Sequence, residues 1–326
     1  MTERGPVSAG TGVGAEPRLG GVLGAGALSA VLFGAGGILP PLSLVSPLPL
    51  AVQRLRGGAS GAWLATALAA ALVAASSAPL WAGFYLLVLA APGLLLGESL
   101  ARGRGLLRGC GWAFATLVAE ISAVLAFAPQ ARERLLAWIE QGRSEAFLAQ
   151  LKAGGMPPEQ ISEFAELVGA ARDALAVVFP AALVIGAAVL VAANAALLRL
   201  YLLRRDPGWL EDGEFERVRW PLGLVAVFVL SGAAVALPLA RPAAYNVLLV
   251  TGFFFALQGL AVVAFYARRL AGPPLLRVAV VVLVLANPWA LYILALLGLF
   301  DNWFDFRRWA EPPPEPGEGT RPGRSA

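Results

Sequence analysis

Long apolar runs alternate along the chain with short polar interruptions that carry arginines. The runs lie at about 20–38, 61–78, 80–97, 110–128, 175–203, 221–239, 245–268 and 278–300, each near the ~20 apolar residues that cross a bilayer as a helix. One further apolar stretch, ILPPLSLVSPLPLAVQ at 38–53, carries Pro40, Pro41, Pro47 and Pro49. Each proline removes a backbone donor, so a regular helix is not expected there. Non-helical backbone at membrane depth survives only where it is buried in protein or faces a watery cavity. The stretch therefore reads either as a broken helix beside a cavity or as a short interfacial element. The last run has its own flaw, because Asn287-Pro288 near its centre predicts a kink or a split. The pattern predicts an all-α fold, a polytopic transmembrane helical bundle of about eight or nine membrane segments occupying residues 20–309.

The polar segments divide the rest. Residues 1–19 and the Pro/Gly-rich 310–326 read as disordered tails, and the first lacks the layout of a signal peptide. Residues 129–173 form the one sizeable polar insertion. Within it Leu135, Leu136, Trp138 and Ile139, then Phe147, Leu148 and Leu151, cluster at helical spacing, Gly154-Gly155 and Pro157-Pro158 interrupt, and Ile161, Phe164, Val168 and Ala171 resume a stripe opposite Glu159, Glu163 and Glu166. This predicts a small amphipathic helical insertion lying as a cap on the membrane surface.

Composition narrows the chemistry. The chain is 58% hydrophobic and 14% charged, against about 25% charged in soluble domains, which excludes a soluble globular protein. It has no histidine, so Ser-His-Asp and Cys-His catalysis, histidine zinc sites and histidine proton relays lack their central residue. A single cysteine, Cys110, excludes an intrachain disulfide. No nucleotide-binding loop, metal-ligand cluster or cofactor motif is present, so neither a cofactor nor a catalytic constellation is expected. The net charge of +4 sits on arginines at span ends, which is an orientation signal rather than a nucleic-acid surface. Assigning 1–19, 54–60, 98–108, 199–219 and 268–277 to the cytoplasm of a bacterial inner membrane gathers most of the 25 Lys and Arg there and leaves Arg241 alone in the short outer loops. The C-terminal segment conflicts, since strict alternation sends Arg307 and Arg308 outside. Either the rule fails there or the Asn287-Pro288 break makes a re-entrant hairpin.

Several residues stand out against the apolar background. Gly26, Ala30 and Gly34 recur every four positions and give one helix a flat face, for internal packing or for docking on another membrane protein. Glu120 lies near the middle of the 110–128 run, where a carboxylate needs a partner, a proton or water; it is either a structural hydrogen-bonding group or a ligand contact. Asn194 lies in the 175–203 run. In the 245–268 run Tyr245, Gly252, Gly259 and Tyr266 recur every seven residues with Thr251 and Gln258 beside them, an inward face for helix packing or for a ligand. Glu120, Asn194, Thr251, Gln258 and Asn287 are the ligand-binding candidates. At the end of the last run, Phe300, Trp303, Phe304 and Arg307 share one helical face and Asp301, Asp305 and Arg308 the next, which predicts an interfacial helix over 300–309 with its aromatics in the headgroup boundary and its acids wet.

The segments PLPLAVQRLRGGASGA (47–62), FPAALVIGAAVLVAANAALLR (179–199), LQGLAVVAFYARR (257–269) and GLFDNWFDFRR (298–308) resemble the YybS-like bacterial membrane proteins, a domain of unknown function, over residues 20–309. Where that family leads one to expect Arg-His-Gly, this chain has Arg56-Gly57-Gly58, so any titrating role of that histidine is absent. The family in turn is similar to the substrate-binding subunits of energy-coupling-factor transporters. That likeness implies a docking role for Gly26, Ala30 and Gly34. Three functions follow as expectations: a small-molecule binding or transport component without its own ATPase, a non-catalytic membrane scaffold, and, least compatible with a chain lacking histidine, an intramembrane enzyme.

Overall fold

The computed structural model describes residues 18–127, 144–211, 214–269 and 289–310, with positions 130, 133, 137 and 140. Among the described residues there is no strand, and the chain divides into two compact units, Met1–Glu214 and Phe215–Ala326. Among the described residues, five helices are long and apolar enough to cross a membrane: Pro41–Ser76, Pro79–Ala101, Leu106–Phe127, Pro158–Arg205 and Arg241–Arg269. Three more, Leu19–Ala35, Leu222–Ala234 and Ala290–Phe304, are apolar but shorter. Leucine, valine and tryptophan side chains such as Trp63, Leu72, Trp112, Val189 and Leu230 lie exposed on these helices, which in a lipid solvent is the favourable side.

In the first unit, α1 (Leu19–Ala35) lies against α3 (Leu48–Ser76), with the short α2 (Pro40–Val45) between them in sequence. The fit depends on Gly26, where a Cβ would come within 2.7 Å of the Ala65 carbonyl oxygen. Ala30 also packs inward, whereas Gly34 faces open space. Two of the three positions of the four-residue stripe thus pack within the unit. The axis of α3 breaks at Gly58, whose φ of 72° and ψ of −175° suit glycine alone. A turn was expected at 54–60; the structure instead continues as one helix, kinked at this residue.

The proline-rich stretch is a broken helix. Pro47 and Pro49 have no N–H to give to the carbonyls four residues earlier, so the backbone around α2 must find other donors. Side chains supply them. Ser46 Oγ donates to the Ser43 carbonyl at 2.7 Å, Asn194 Nδ2 to the Leu44 carbonyl at 2.8 Å, and Ser29 Oγ to the Ser46 carbonyl at 2.5 Å. Ser29 is fully buried and also bonds the Tyr85 hydroxyl at 2.6 Å. Helix α3 then restarts with Leu50 and Ala51 both donating to the Pro47 carbonyl.

Next, α4 (Pro79–Phe84), a π-helical stretch (Tyr85–Ala90) and α5 (Ala91–Ala101) run on as one rod. Glycines let α5 approach its neighbours: a Cβ at Gly93 would meet Pro47 at 2.6 Å, and one at Gly97 the Ala51 carbonyl oxygen at 2.8 Å. Helix α6 (Leu106–Phe127) begins on a carboxylate, Glu214 accepting from the amides of Leu106 at 3.0 Å and Leu107 at 2.5 Å. A negative group there satisfies orphan amides and complements the helix dipole.

The polar insertion differs from the separate cap expected over 129–173. Helix α7 (Glu145–Ala153) starts on Ser144, whose hydroxyl accepts from the Phe147 amide at 3.3 Å, and ends at Gly154-Gly155, where Gly155 has φ 88°. After Pro157, however, α8 runs unbroken from Pro158 to Arg205. Its 48 residues span roughly 72 Å, more than twice a hydrocarbon core. Nothing in the 159–179 text breaks a helix, and Pro180 is absorbed inside it. The second half of the insertion is therefore an extension of a long apolar helix, against which α7 folds back through Phe147 and Phe164. Leu135, Leu136, Trp138 and Ile139 lie outside the described residues.

The second unit holds α9 (Leu222–Ala234), α10 (Arg241–Arg269) and α11 (Ala290–Phe304), preceded by a 3-10 turn at Phe215–Arg217 and closed by another at Phe306–Ala310. Helices α10 and α11 touch backbone to backbone. A Cβ on Gly259 would overlap the Leu294 carbonyl, and one on Gly298 the Phe255 carbonyl. Gly252 makes only ordinary contact, 3.6 Å from Phe228 on α9.

Because α8 joins them as one membrane-length helix, positions 150 and 208 should lie on opposite sides of the membrane. In a background lacking Cys110, a cysteine at 150 is expected to label from outside and one at 208 from the cytoplasm. Labelling of both from one side would show that α8 does not cross, and the reversed pattern would invert the orientation.

Candidate functional site

The close crossing of α10 and α11 sets Gln258, next to Gly259, beside Asp301, three residues after Gly298. Gln258 is 0% exposed and Asp301 1%. Gln258 Nε2 donates to Asp301 Oδ2 at 3.1 Å, and its Oε1 accepts from the Trp220 amide at 2.9 Å, so both ends of the amide are used. Trp220 is pinned in turn by its indole N–H, which donates to the Phe254 carbonyl at 2.7 Å, and by edge contact with the Phe254 ring.

Asp301 gathers more than Gln258. Its Oδ1 accepts from the Phe306 amide at 3.2 Å, and its Oδ2 lies 3.3 Å from Arg307 and 3.8 Å from Arg219. A carboxylate buried among apolar helices needs this much compensation. Arg307 is 7% exposed and also donates to the Val218 carbonyl at 2.8 Å. Burial pushes its guanidinium down from the ordinary arginine range while the Asp301 carboxylate pulls it back up. Around this centre, Arg219 pairs with Asp305, Arg268 lies 3.2 Å from Glu216, and the Tyr266 hydroxyl donates to the Phe306 carbonyl.

Local geometry at the end of α11 follows from the same group and corrects the expected interfacial helix over 300–309. The helix stops at Phe304, Asp305 takes a left-handed conformation with φ 44°, and the chain turns into the 3-10 segment. Asp tolerates that conformation better than most residues. Asp301, expected to be wet, is buried, because the turn brings the Phe306 amide and the Arg307 side chain back over it. Phe300, Trp303 and Phe304 remain exposed on the other faces, together with Trp309.

Beside this network lies an open cavity of about 430 Å³ lined by Glu216, Arg217, Arg219, Phe265, Asp305, Arg307 and Arg308. Two of its lining residues each have a buried polar atom with no hydrogen-bond partner in the protein, Arg307 Nε and Glu216 Oε2. The Arg269 guanidinium stacks 3.8 Å over the Phe265 ring and so orients it.

The sequence-derived ligand candidates that are described fall in both units. Asn194 holds the α2 backbone and its own Leu190 carbonyl, and Thr251 donates to the Val247 carbonyl of its own helix at 2.7 Å. Glu120 is half-buried with Oε2 unpartnered, in the first unit, as is Asn194; Thr251 and Gln258 belong to the second. Asn287 lies outside the described residues. Tyr245 and Tyr266, expected inside, are partly exposed at the two ends of α10. Overlooked in the sequence were Glu216, Val218, Arg219 and Trp220. Burial alternates there, with Glu216 and Val218 buried and Arg217 and Arg219 exposed, but a charged residue at 216 hides that pattern in the sequence.

These features define a polytopic helical membrane protein with a buried polar network at one end of a helix pair. Residues 27–302 match the family model described as Predicted membrane protein (DUF2232), and the chain belongs to that family. No curated protein and no solved structure matches it significantly.

Replacing Asp301 by Ala leaves Arg307 buried and unpaired and is expected to lower stability by about 3–5 kcal/mol. Replacing Asp305, whose partner Arg219 is largely exposed, should cost no more than about 1 kcal/mol. Thermal unfolding in detergent separates the two; equal losses would mean that Asp301 is not the centre of the network.

Proposed function

We propose that this chain is the small-molecule binding component of a membrane system, bearing no ATPase of its own, and that the cavity beside Arg307 is its ligand site. The observation that carries the reading is Arg307, a cavity-lining guanidinium held by Asp301 and the Val218 carbonyl, whose buried Nε has no protein partner. Buried donors are almost always satisfied, and an unsatisfied one calls for an explanation such as ordered water or an ion. The rest of the arrangement fits a site in which Gln258, Asp301 and Trp220 hold Arg307 in place from behind. Transport, if coupled to this binding, would draw its energy from a partner ATPase or an ion gradient. A bacterial inner membrane, with the arginine-rich 199–219 segment inside, suits the charge distribution.

A scaffold role is the second reading. Its support is that Asn194 and Thr251 spend their side chains on helix backbone, as they would in a protein that only holds helices together.

Thermal-shift measurements in detergent over a panel of small metabolites distinguish the two. The binding reading expects at least one compound to raise the Tm of the wild type by several degrees and to lose that effect in Arg307→Lys, which keeps the charge and removes Nε and the planar fork. A flat response across anionic, cationic and neutral compounds would favour the scaffold.

A further inference from the structure

We propose that one end of the first unit, where α5 finishes, α6 starts and α8 finishes, is a docking surface for anionic phospholipid headgroups. It is independent of the cavity in the second unit and of what that cavity binds.

A single apolar cluster brings these helix ends together. Leu96 and Leu100 of α5, Leu106 of α6 and Leu198 and Leu202 of α8 share one buried core with Ala51 of α3. Each chain segment leaving that core carries arginine, and the protein uses some of them itself. Glu98 takes both Arg54 and Arg102, while Asp206 pairs with Arg56 at 2.8 Å, whose guanidinium also lies over the Tyr201 ring. Glu214 commits both oxygens to the amides of Leu106 and Leu107, and Glu211 has a partner as well. The described carboxylates at this end are therefore engaged. Arg104, Arg108, Arg204 and Arg205 are exposed and make no ion pair or side-chain hydrogen bond among the described residues.

The neighbours of these four cations say what covers them. On α8, Val189, Leu200 and Leu203 are exposed, and Arg204 stands one turn beyond Leu200 on the same face. On α6, Trp112 is 58% exposed and lies one turn from Arg108 on the same face, with Leu107 exposed beside it. Trp209, just past the end of α8, adds another partly exposed ring. An apolar helix face that ends in a tryptophan or leucine and then an arginine crosses from hydrocarbon into the headgroup layer at that point. Arginine stems can lie along the apolar surface while the guanidinium reaches phosphate. An acidic soluble protein would meet the arginines from water and leave Trp112, Leu200 and Leu203 bare. A phospholipid covers both, with its acyl chain along the apolar column and its phosphate at the guanidinium. Zwitterionic lipids bring their own cation to the site, so four unanswered arginines select a headgroup with net negative charge, as in phosphatidylglycerol.

The test uses the full chain in a non-ionic detergent, with lipid binding read by native mass spectrometry and stability by Tm. Phosphatidylglycerol is expected to bind about tenfold more tightly than phosphatidylcholine of the same acyl chains and to raise the Tm more. The double variants Arg104→Gln with Arg108→Gln, and Arg204→Gln with Arg205→Gln, remove cations that have no partner in the fold, so each should keep the lipid-free Tm and reduce that preference about fivefold. Lys152→Gln, which removes an exposed cation on α7, should keep the preference whole. A measurement on the wild type alone guards against a variant that fails to fold: the preference should collapse in about 1 M salt, where charges are screened beyond about 3 Å. Equal binding of the two lipids, a preference indifferent to salt, or a loss in Lys152→Gln as large as in the arginine variants would overturn the proposal. So would displacement of bound phosphatidylglycerol by a soluble polyglutamate peptide, which would assign the surface to an acidic protein.

Discussion

In the second unit everything hangs on how closely α10 and α11 approach. Two glycines, Gly259 and Gly298, remove the side chains that would hold the backbones apart, and the crossing carries Gln258 and Asp301 into bonding distance inside an apolar environment. Once a carboxylate is placed there, the surroundings are constrained in turn. It must be compensated, and the compensation comes from a side chain on α10, a backbone amide just past α11, and arginines from the segments that flank the helices in sequence. The left-handed residue at Asp305, the 3-10 turn after it and the fixed orientation of Trp220 are consequences of satisfying one buried charge. Small residues in membrane helices are usually read as packing devices; here they also position a polar group.

The first unit meets a different form of the same constraint. Prolines at 47 and 49 break a helix at membrane depth, and hydrocarbon offers no water to the freed carbonyls. Ser29, Ser46 and Asn194 take that role, from three different stretches of the chain. A buried asparagine or serine in such a protein is thus as readily a backbone-capping group as a ligand contact. Around the broken helix the donated hydrogen bonds go to the carbonyls of Ser43, Leu44 and Ser46 and leave Asn194 Oδ1 without a partner, as Arg307 Nε and Glu216 Oε2 are left in the second unit.

Much of the fold was legible because its cause is local. Apolar run length placed a membrane segment within each of the long helices, the glycine doublet at 154–155 marked the end of α7, and the prolines marked the break at α2. The continuity of α8 through 173 was missed because a polar helical face looks like a separate surface element when nothing in sequence says that the next apolar turn is in phase with it. Asp301 was misjudged for a related reason. On a straight helix it shares a face with Asp305 and Arg308, and only the chain reversal at Asp305 turns Arg307 back over it. Gln258 was recognised as inward-facing from its seven-residue neighbours, yet its partner is 43 residues away, a separation that no periodicity reports.

The central claim, that Asp301 and Arg307 act as a coupled buried pair rather than as two independent polar residues, is tested most directly by a double-mutant cycle on thermal or denaturant stability in detergent, using Asp301→Asn, Arg307→Met and the combination. Removing either partner alone strands the other in a low-dielectric site, so each single variant should lose more than the double variant's behaviour would apportion to it, with a coupling of at least about 1 kcal/mol. Strictly additive losses would contradict the account and leave the Asp301 network as a set of unrelated contacts.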